Sequence, residues 1–186
     1  QEATNLIKDD VLKSIKHIES LTGNKFNDPT NPQLVSVRSG APISMPGMMD
    51  TVLNLGINDE VAETLAKKAN NPRWAWDSYR RFVQMYGDVV LGMKPENKDD
   101  IDPFEAIIEE VKAKKGVKFD TELEVEDLKE LVQLFKQAVL KGTGKEFPTD
   151  AYDQLWGAIY AVFDSWNNDR AILYRRMNQI PEEYGT

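Results

Sequence analysis

The chain has 186 residues, of which 31 are acidic and 23 are basic, so its net charge at pH 7 is -8. That length is sufficient for a hydrophobic core, and the acidic balance argues against binding to nucleic acid or to an anionic membrane surface. With no cysteine and one histidine, the sequence excludes disulfides, cysteine-based metal sites and a cysteine nucleophile, and it disfavours a Ser-His-Asp triad.

The first predicted element is an amphipathic helix over residues 5–22. Its apolar residues recur at spacings near 3.6, namely Leu6, Ile7, Val11, Ile15, Ile18 and Leu21. Gly23 follows at a position that favours helix termination. His17 falls on the flank of the apolar stripe, so we expect a solvated surface histidine rather than a catalytic imidazole.

A short strand is predicted over residues 34–38, which are apolar and β-branched. The next 17 residues, 40–56, contain three glycines, two prolines and three methionines, so they form neither a plain helix nor a plain strand. Asp50-Thr51 within this stretch has the composition of a helix start.

The pattern from Asn58 onward is helical. Helices are predicted over 59–69, from Pro72 to about Gly92, from Pro103 to Gly116, from Thr121 to Gly142, from about Thr149 to Trp166 and from about Asp169 to Pro181, with a polar linker over 93–100. Since one strand cannot form a sheet alone, either a hairpin is hidden in the methionine-rich stretch or the partner strands lie outside the chain. We favour the second alternative, which predicts that the chain is a fragment.

The candidate site is Arg38 with the loop that follows it. Glycines such as Gly47 allow backbone N–H groups to converge on an anion, a helix start at Asp50-Thr51 would add a partial positive charge, and the guanidinium supplies a fork of donors. This combination suits a polyphosphate. However, the spacing matches no established phosphate-loop motif, and an ordinary tight loop is the alternative that the residues leave open.

Two further groups of arginines lie on predicted helices, Arg80-Arg81 in one and Arg170, Arg175 and Arg176 in another. Neighbouring residues on a helix point about 100° apart, so at most one of each adjacent pair faces a given cleft. Solvated or ion-paired helix faces are the simpler interpretation. The aromatic residues of the same helices have the spacing of core positions.

Three blocks of the chain resemble the nucleotide-binding domain of the pyruvate phosphate dikinase family. They are LVSVRSGAPISMPGMMDTVLNLGIND (34–59), NPRWAWDSYRRFVQMYGDVV (71–90) and SWNNDRAILYRRMNQIP (165–181). The SMPGMMDT segment is specific to this family, whereas the related phosphoenolpyruvate synthases keep only a VRSSA-type start. The similarity covers nearly the whole chain and is weakest over residues 94–147.

The resemblance implies a phosphotransfer mechanism spread over several domains. ATP binds in an ATP-grasp-like N-terminal domain, and a histidine on a separate domain takes up the β,γ-diphosphate with release of AMP. Transfer to inorganic phosphate leaves a phosphohistidine, which phosphorylates pyruvate to phosphoenolpyruvate. Mg²⁺ and a monovalent cation are the implied cofactors. Such chemistry depends mainly on positioning and charge neutralisation.

Residue by residue, the resemblance assigns Arg38 to the ATP phosphates and assigns the loop that closes over the polyphosphate to Gly47, Met48, Met49, Asp50 and Thr51. Arg81 is assigned to the phosphate site, and Arg170 and Arg175 to a supporting role. The family's ATP-binding lysine, its acidic metal ligands and its catalytic histidine have no counterpart in this chain. We therefore expect no catalytic residue and no turnover from this piece alone.

The resulting fold prediction is mainly α with a small β component, an incomplete ATP-grasp-like subdomain with a helical insertion. Residues 1–57 and 148–186 would form the nucleotide-binding part and residues 58–147 the insertion. The expected partners are ATP or AMP and the phosphohistidine domain of a homo-oligomeric parent, without nucleic acid or membrane, in the cytoplasm or an organelle. The alternatives are a fragment of phosphoenolpyruvate synthase or another dikinase, and a non-catalytic helical interaction module with Arg38 in a structural ion pair.

Overall fold

The computed structural model describes residues 2–95 and 100–184 and is mainly helical, as predicted. The described residues form seven α-helices and two β-strands. In chain order these are α1 (Glu2–Thr22), β1 (Val35–Arg38), β2 (Thr51–Leu55), α2 (Asp59–Ala69), α3 (Pro72–Val89), α4 (Pro103–Lys115), α5 (Val125–Thr143), α6 (Ala151–Asp164) and α7 (Asp169–Met177). Residues 96–99 of the predicted polar linker lie outside the described residues.

The hairpin corrects one sequence-based prediction. Strands β1 and β2 pair antiparallel, with Arg38 opposite Thr51, so the partner of the first strand lies inside the chain. Thr51 begins a strand and not a helix, which removes the helix N-terminus from the predicted phosphate site. Asn54 adopts a φ of 60°, and the register shifts between Val35 and Val37, so the usual alternation of a strand is broken here.

The helix ends follow the predicted caps in most places. The Asn58 side chain accepts the Val61 N–H at 2.9 Å at the start of α2, and Asp102 accepts the first N–H groups of α4. Helix α5 differs from its prediction. It begins at Val125, where the side chain of Asp127 accepts the Glu124 N–H at 3.0 Å, and residues 120–122 form a separate 3₁₀ turn.

The core forms where α3 packs against α2 and α5, while α6 packs against both strands. The predicted core residues of α5 are all buried, namely Leu128, Leu131, Val132, Phe135 and Val139. Three residues predicted on apolar faces are instead exposed: Leu6 by 84%, Leu21 by 73% and Trp74 by 48%. The pattern locates an apolar stripe but does not show which part of it a neighbour covers.

Gln154 connects the hairpin to α6 inside the core. Its side chain is fully buried, and its Oε1 accepts the Gly56 N–H at 2.8 Å. Its Nε2 donates to the carbonyl oxygens of Ile57 at 3.0 Å and Pro148 at 2.8 Å. Unpaired main-chain groups are costly in a core. The three hydrogen bonds of the Gln154 side chain therefore fix the end of β2 against α6.

Among the described residues, none of the helices combines the length and apolar character needed to cross a bilayer.

Candidate functional site

The candidate site is the loop of residues 39–50 that connects the two strands, called the hairpin loop below. Its tip contains a turn in which the Met48 N–H donates to the Met45 carbonyl oxygen at 3.1 Å. Gly47 within this turn has a φ of 71°, a left-handed conformation that glycine adopts at low cost. The turn therefore explains why a glycine stands between Pro46 and Met48.

Most backbone N–H groups of the hairpin loop have no acceptor in the described parts of the chain. Paired groups include Ala41, whose N–H donates to Ser39 Oγ at 3.2 Å, Met48 in the turn, and Asp50, whose N–H donates to Ser165 Oγ. The unpaired groups belong to Gly40, Ile43, Ser44, Met45, Gly47 and Met49. Since peptide N–H groups are strong donors, the loop can donate to a bound anion.

These residues line a cavity of about 530 Å³, called the loop cavity. Arg38, at the end of β1, and Asp50 are its two charged lining residues. Arg38 is exposed, and its guanidinium has no hydrogen-bond or ion-pair partner among the described residues. The buried ion pair expected for a purely structural Arg38 is not what the structure has. The guanidinium can therefore bind a ligand at this cavity.

Five of the predicted site residues line the loop cavity: Arg38, Gly47, Met49, Asp50 and Thr51. Met48 does not line it; its carbonyl oxygen accepts a hydrogen bond at 3.0 Å from Nε of Arg170, which lies on α7.

Arg81 lies on α3 and does not line the loop cavity. Its side chain is 68% exposed, and its Nε pairs with Asp77 Oδ2 at 2.9 Å. The adjacent Arg80 is buried and pairs with the other Asp77 oxygen at 2.6 Å. Burial raises the pKa of Asp77, but the hydrogen bonds from Arg80 and Arg81 outweigh it and leave the pKa below its usual value.

The base of the hairpin loop is held by the junction of α6 and α7, from which the sequence analysis gave only Arg170 a supporting role and did not identify Ser165 or Asn168. The Asp50 N–H donates to Ser165 Oγ at 3.0 Å, and Ser165 Oγ donates to the Val162 carbonyl oxygen at 2.6 Å. Asn168 Nδ2 donates to Asp50 Oδ2 at 3.3 Å, and Arg170 pairs with Asp50 Oδ1. These partners are more than 110 residues from Asp50 in sequence, and no local pattern predicts such contacts.

Asp50 also lines a second cavity of about 690 Å³, together with Asp88, Asp164 and Lys94. Burial raises the pKa of the Asp88 carboxyl above its ordinary value. Three carboxylates against one lysine make this cavity unfavourable for a polyphosphate, so the loop cavity is the better anion site. Among the described residues, no group of three or more acidic or histidine side chains is placed to hold a metal ion.

The other two arginines of α7 differ in burial, because Arg176 is exposed and Arg175 is buried. Arg175 is 4% exposed, stacks on the Trp166 ring at 4.1 Å from its centroid and donates to the Trp166 carbonyl oxygen at 2.5 Å. These contacts give Arg175 a structural role within the C-terminal segment. His17 is exposed on α1, as predicted.

A comparison with protein families matches residues 3–185 to the family described as pyruvate phosphate dikinase, AMP/ATP-binding domain. The match includes the hairpin loop and the arginine blocks on α3 and α7.

Individual relatives agree with that match. A pyruvate, phosphate dikinase from Clostridium symbiosum is 54% identical over 188 residues, which cover all of this chain and 21% of the relative. A chloroplastic one from Mesembryanthemum crystallinum is 51% identical, covering 96% of this chain and 18% of the relative. One from Entamoeba histolytica is 48% identical, covering 95% and 19%. The chain spans about a fifth of the length of these relatives.

Proposed function

The chain belongs to the pyruvate phosphate dikinase AMP/ATP-binding domain family, and from this membership we propose that its hairpin loop and Arg38 hold the polyphosphate of ATP. The observation that supports the proposal is that several hydrogen-bond donors without a partner lie at the same cavity. Among the described residues, Arg38 and six main-chain N–H groups at a cavity of about 530 Å³ have no protein acceptor. A polyphosphate supplies several anionic oxygens to such donors, which form charge-assisted hydrogen bonds.

We place the chain in the nucleotide-binding part of a pyruvate phosphate dikinase, which interconverts ATP, phosphate and pyruvate with AMP, pyrophosphate and phosphoenolpyruvate. The residues of this chain bind and orient the nucleotide, while the phosphoryl-accepting histidine belongs to another domain of the longer protein. Arg38 and the loop amides would neutralise charge on the transferring phosphates, which is the main protein contribution to phosphoryl transfer. The chain alone is then not expected to turn over.

Residues 1–57 and 148–186 are proposed as part of an ATP-grasp-like subdomain and residues 58–147 as its helical insertion. Mg²⁺ and a monovalent cation are proposed for the whole enzyme; among the described residues, no three or more acidic or histidine side chains are grouped to hold a metal ion. A homo-oligomeric parent in the cytoplasm or an organelle is the corresponding proposal for assembly and location. Organelles are included because a relative is described as chloroplastic.

The test is Arg38→Ala in the full-length enzyme. Removing one charged donor from a preorganised phosphate site should lower kcat/KM about 100-fold. The matched control is Arg176→Ala, because Arg176 is an exposed arginine on α7 that lines neither cavity. Near-normal kcat/KM in Arg38→Ala would contradict the phosphate role. Dependence of the full-length enzyme on inorganic phosphate distinguishes a pyruvate phosphate dikinase from a synthase that uses water.

A further inference from the structure

Arg170 contacts the hairpin loop without lining the loop cavity. Its Nε donates to the Met48 carbonyl oxygen at 3.0 Å, and its Nη2 pairs with Asp50 Oδ1. The second Asp50 oxygen accepts from Asn168 Nδ2 at 3.3 Å. One guanidinium therefore fixes both a peptide carbonyl and a side chain at the base of the loop.

The contact with the Met48 carbonyl also sets the direction of the next N–H group. The Met48–Met49 peptide is trans, as are all peptide bonds among the described residues, and a trans peptide is planar with C=O and N–H pointing in opposite directions. Because Arg170 holds the Met48 carbonyl, the Met49 N–H points away from Arg170. Met49 lines the loop cavity, and its N–H has no acceptor among the described residues.

The following peptide is fixed as well. The Asp50 N–H donates to Ser165 Oγ at 3.0 Å, and Ser165 is 2% exposed and anchored to α6. Rotation of the Met48–Met49 peptide would break the Arg170 contact and strain the Asp50 contact beside it. Residues 48–50 therefore have a defined backbone orientation within an otherwise open loop.

We propose that Arg170 is a positioning residue that orients the Met48–Met49 peptide so that the Met49 N–H can donate to a nucleotide phosphate. Asp50 acts as the anchor of Arg170 rather than as a group that contacts the nucleotide. This inference rests on the proposed function of the loop cavity. The Arg170 side chain is 51% exposed and its Asp50 partner 17%, so the ion pair itself contributes little to folding stability.

The experiment measures the Kd of ATP by calorimetry in the full-length enzyme, together with the unfolding midpoint. Arg170→Ala should weaken ATP binding about 10-fold, the effect of losing one oriented donor to a charged group, with an unchanged midpoint. Arg170→Lys should restore part of the affinity, since one ammonium replaces only part of the fork. Arg176→Ala, on the same helix, should bind ATP as the wild type does.

Asp50→Asn distinguishes between two roles of Asp50: the anchor of Arg170, or a negative charge that merely faces the phosphates. If Asp50 merely faced the phosphates, removing its negative charge would strengthen ATP binding; as the anchor of Arg170, its loss should weaken binding. The double variant Asp50→Asn, Arg170→Ala should then bind ATP no more weakly than Arg170→Ala alone.

Unchanged ATP affinity in Arg170→Ala, stronger binding in Asp50→Asn, or fully additive losses would each overturn the positioning role. Arg38→Ala, measured in parallel, identifies which proposal fails. If Arg38→Ala weakens ATP binding but Arg170→Ala does not, only the positioning role is wrong. If Arg38→Ala has no effect, the loop is not the phosphate site and both proposals are wrong.

Discussion

Gly47 offers a direct test of the loop conformation. Its φ of 71° lies in the left-handed region, and a Cβ added there would meet no atom within 4 Å. Gly47→Ala therefore changes the backbone preference without creating a clash. Holding a non-glycine residue in this conformation costs about 1–2 kcal/mol.

Gly47→Ala should weaken nucleotide binding and should not lower the stability of the fold. The loop tip is exposed, so in the free protein it can relax out of the strained conformation with little loss of core contacts. ATP binding must then restore the conformation, and 1–2 kcal/mol corresponds to about 5- to 30-fold weaker affinity. The unfolding midpoint should stay close to that of the wild type.

Gly144→Ala is the matched control, since Gly144 also has a φ of 71° with no atom within 4 Å of an added Cβ. Gly144 caps the C-terminus of α5, so its substitution should lower the free energy of unfolding by about 1 kcal/mol and leave ATP affinity unchanged. Calorimetry in the full-length enzyme measures the affinities, and thermal unfolding measures stability. Wild-type ATP affinity in Gly47→Ala, or equal weakening in both variants, would refute the reasoning.

Three further predictions concern stability and the surface arginine. Gln154→Leu should destabilise the fold by about 3–5 kcal/mol in urea unfolding, because two buried main-chain groups and the half-buried Pro148 carbonyl lose their partner. The matched Gln133→Leu, at an exposed position, should cost less than about 1 kcal/mol. A hydrogen bond from Lys115 holds the pKa of Asp127 below its ordinary value of 3.8. The stability it provides is therefore complete above pH 3.8 and is lost as pH falls through the lowered pKa, so Asp127→Asn should flatten the acid side of the stability profile. Arg81→Ala should change the free energy of unfolding by less than about 1 kcal/mol; a loss of ATP turnover in the full-length enzyme at that unchanged stability would support its assigned phosphate contact, and unaltered turnover would contradict it.

The helices were predictable because their signals are local. Asn58, Asn71-Pro72 and Asp102-Pro103 each place a capping acceptor or a proline at a helix start, and the helices begin where these residues predict. Core positions on α5 followed from the same periodicity. By contrast, burial of an apolar stripe depends on neighbours that the sequence does not specify, which is why Leu6 is exposed although it has the correct spacing.

The second strand was missed for a different physical reason. Asp50-Thr51 has the composition of a helix cap, and its true role is visible only through long-range contacts. Along β2, Val52 and Leu55 are buried but lie three residues apart, because Asn54 at a φ of 60° interrupts the alternation. A strand that lacks a period of two has no distinctive pattern in sequence.

The site combines a fixed base with an open tip, and the two parts have different sequence signals. The residues of the tip were identifiable because glycines and an adjacent arginine suit an anion. The base depends on Ser165 and Arg170, whose contacts with Asp50 arise only when α6 and α7 pack beside the hairpin. Ordering a flexible residue costs about 1–2 kcal/mol, so fixing residues 48–50 before ATP arrives reduces the cost of binding. Affinity for the nucleotide should therefore be sensitive to α7, although Arg170 does not line the loop cavity.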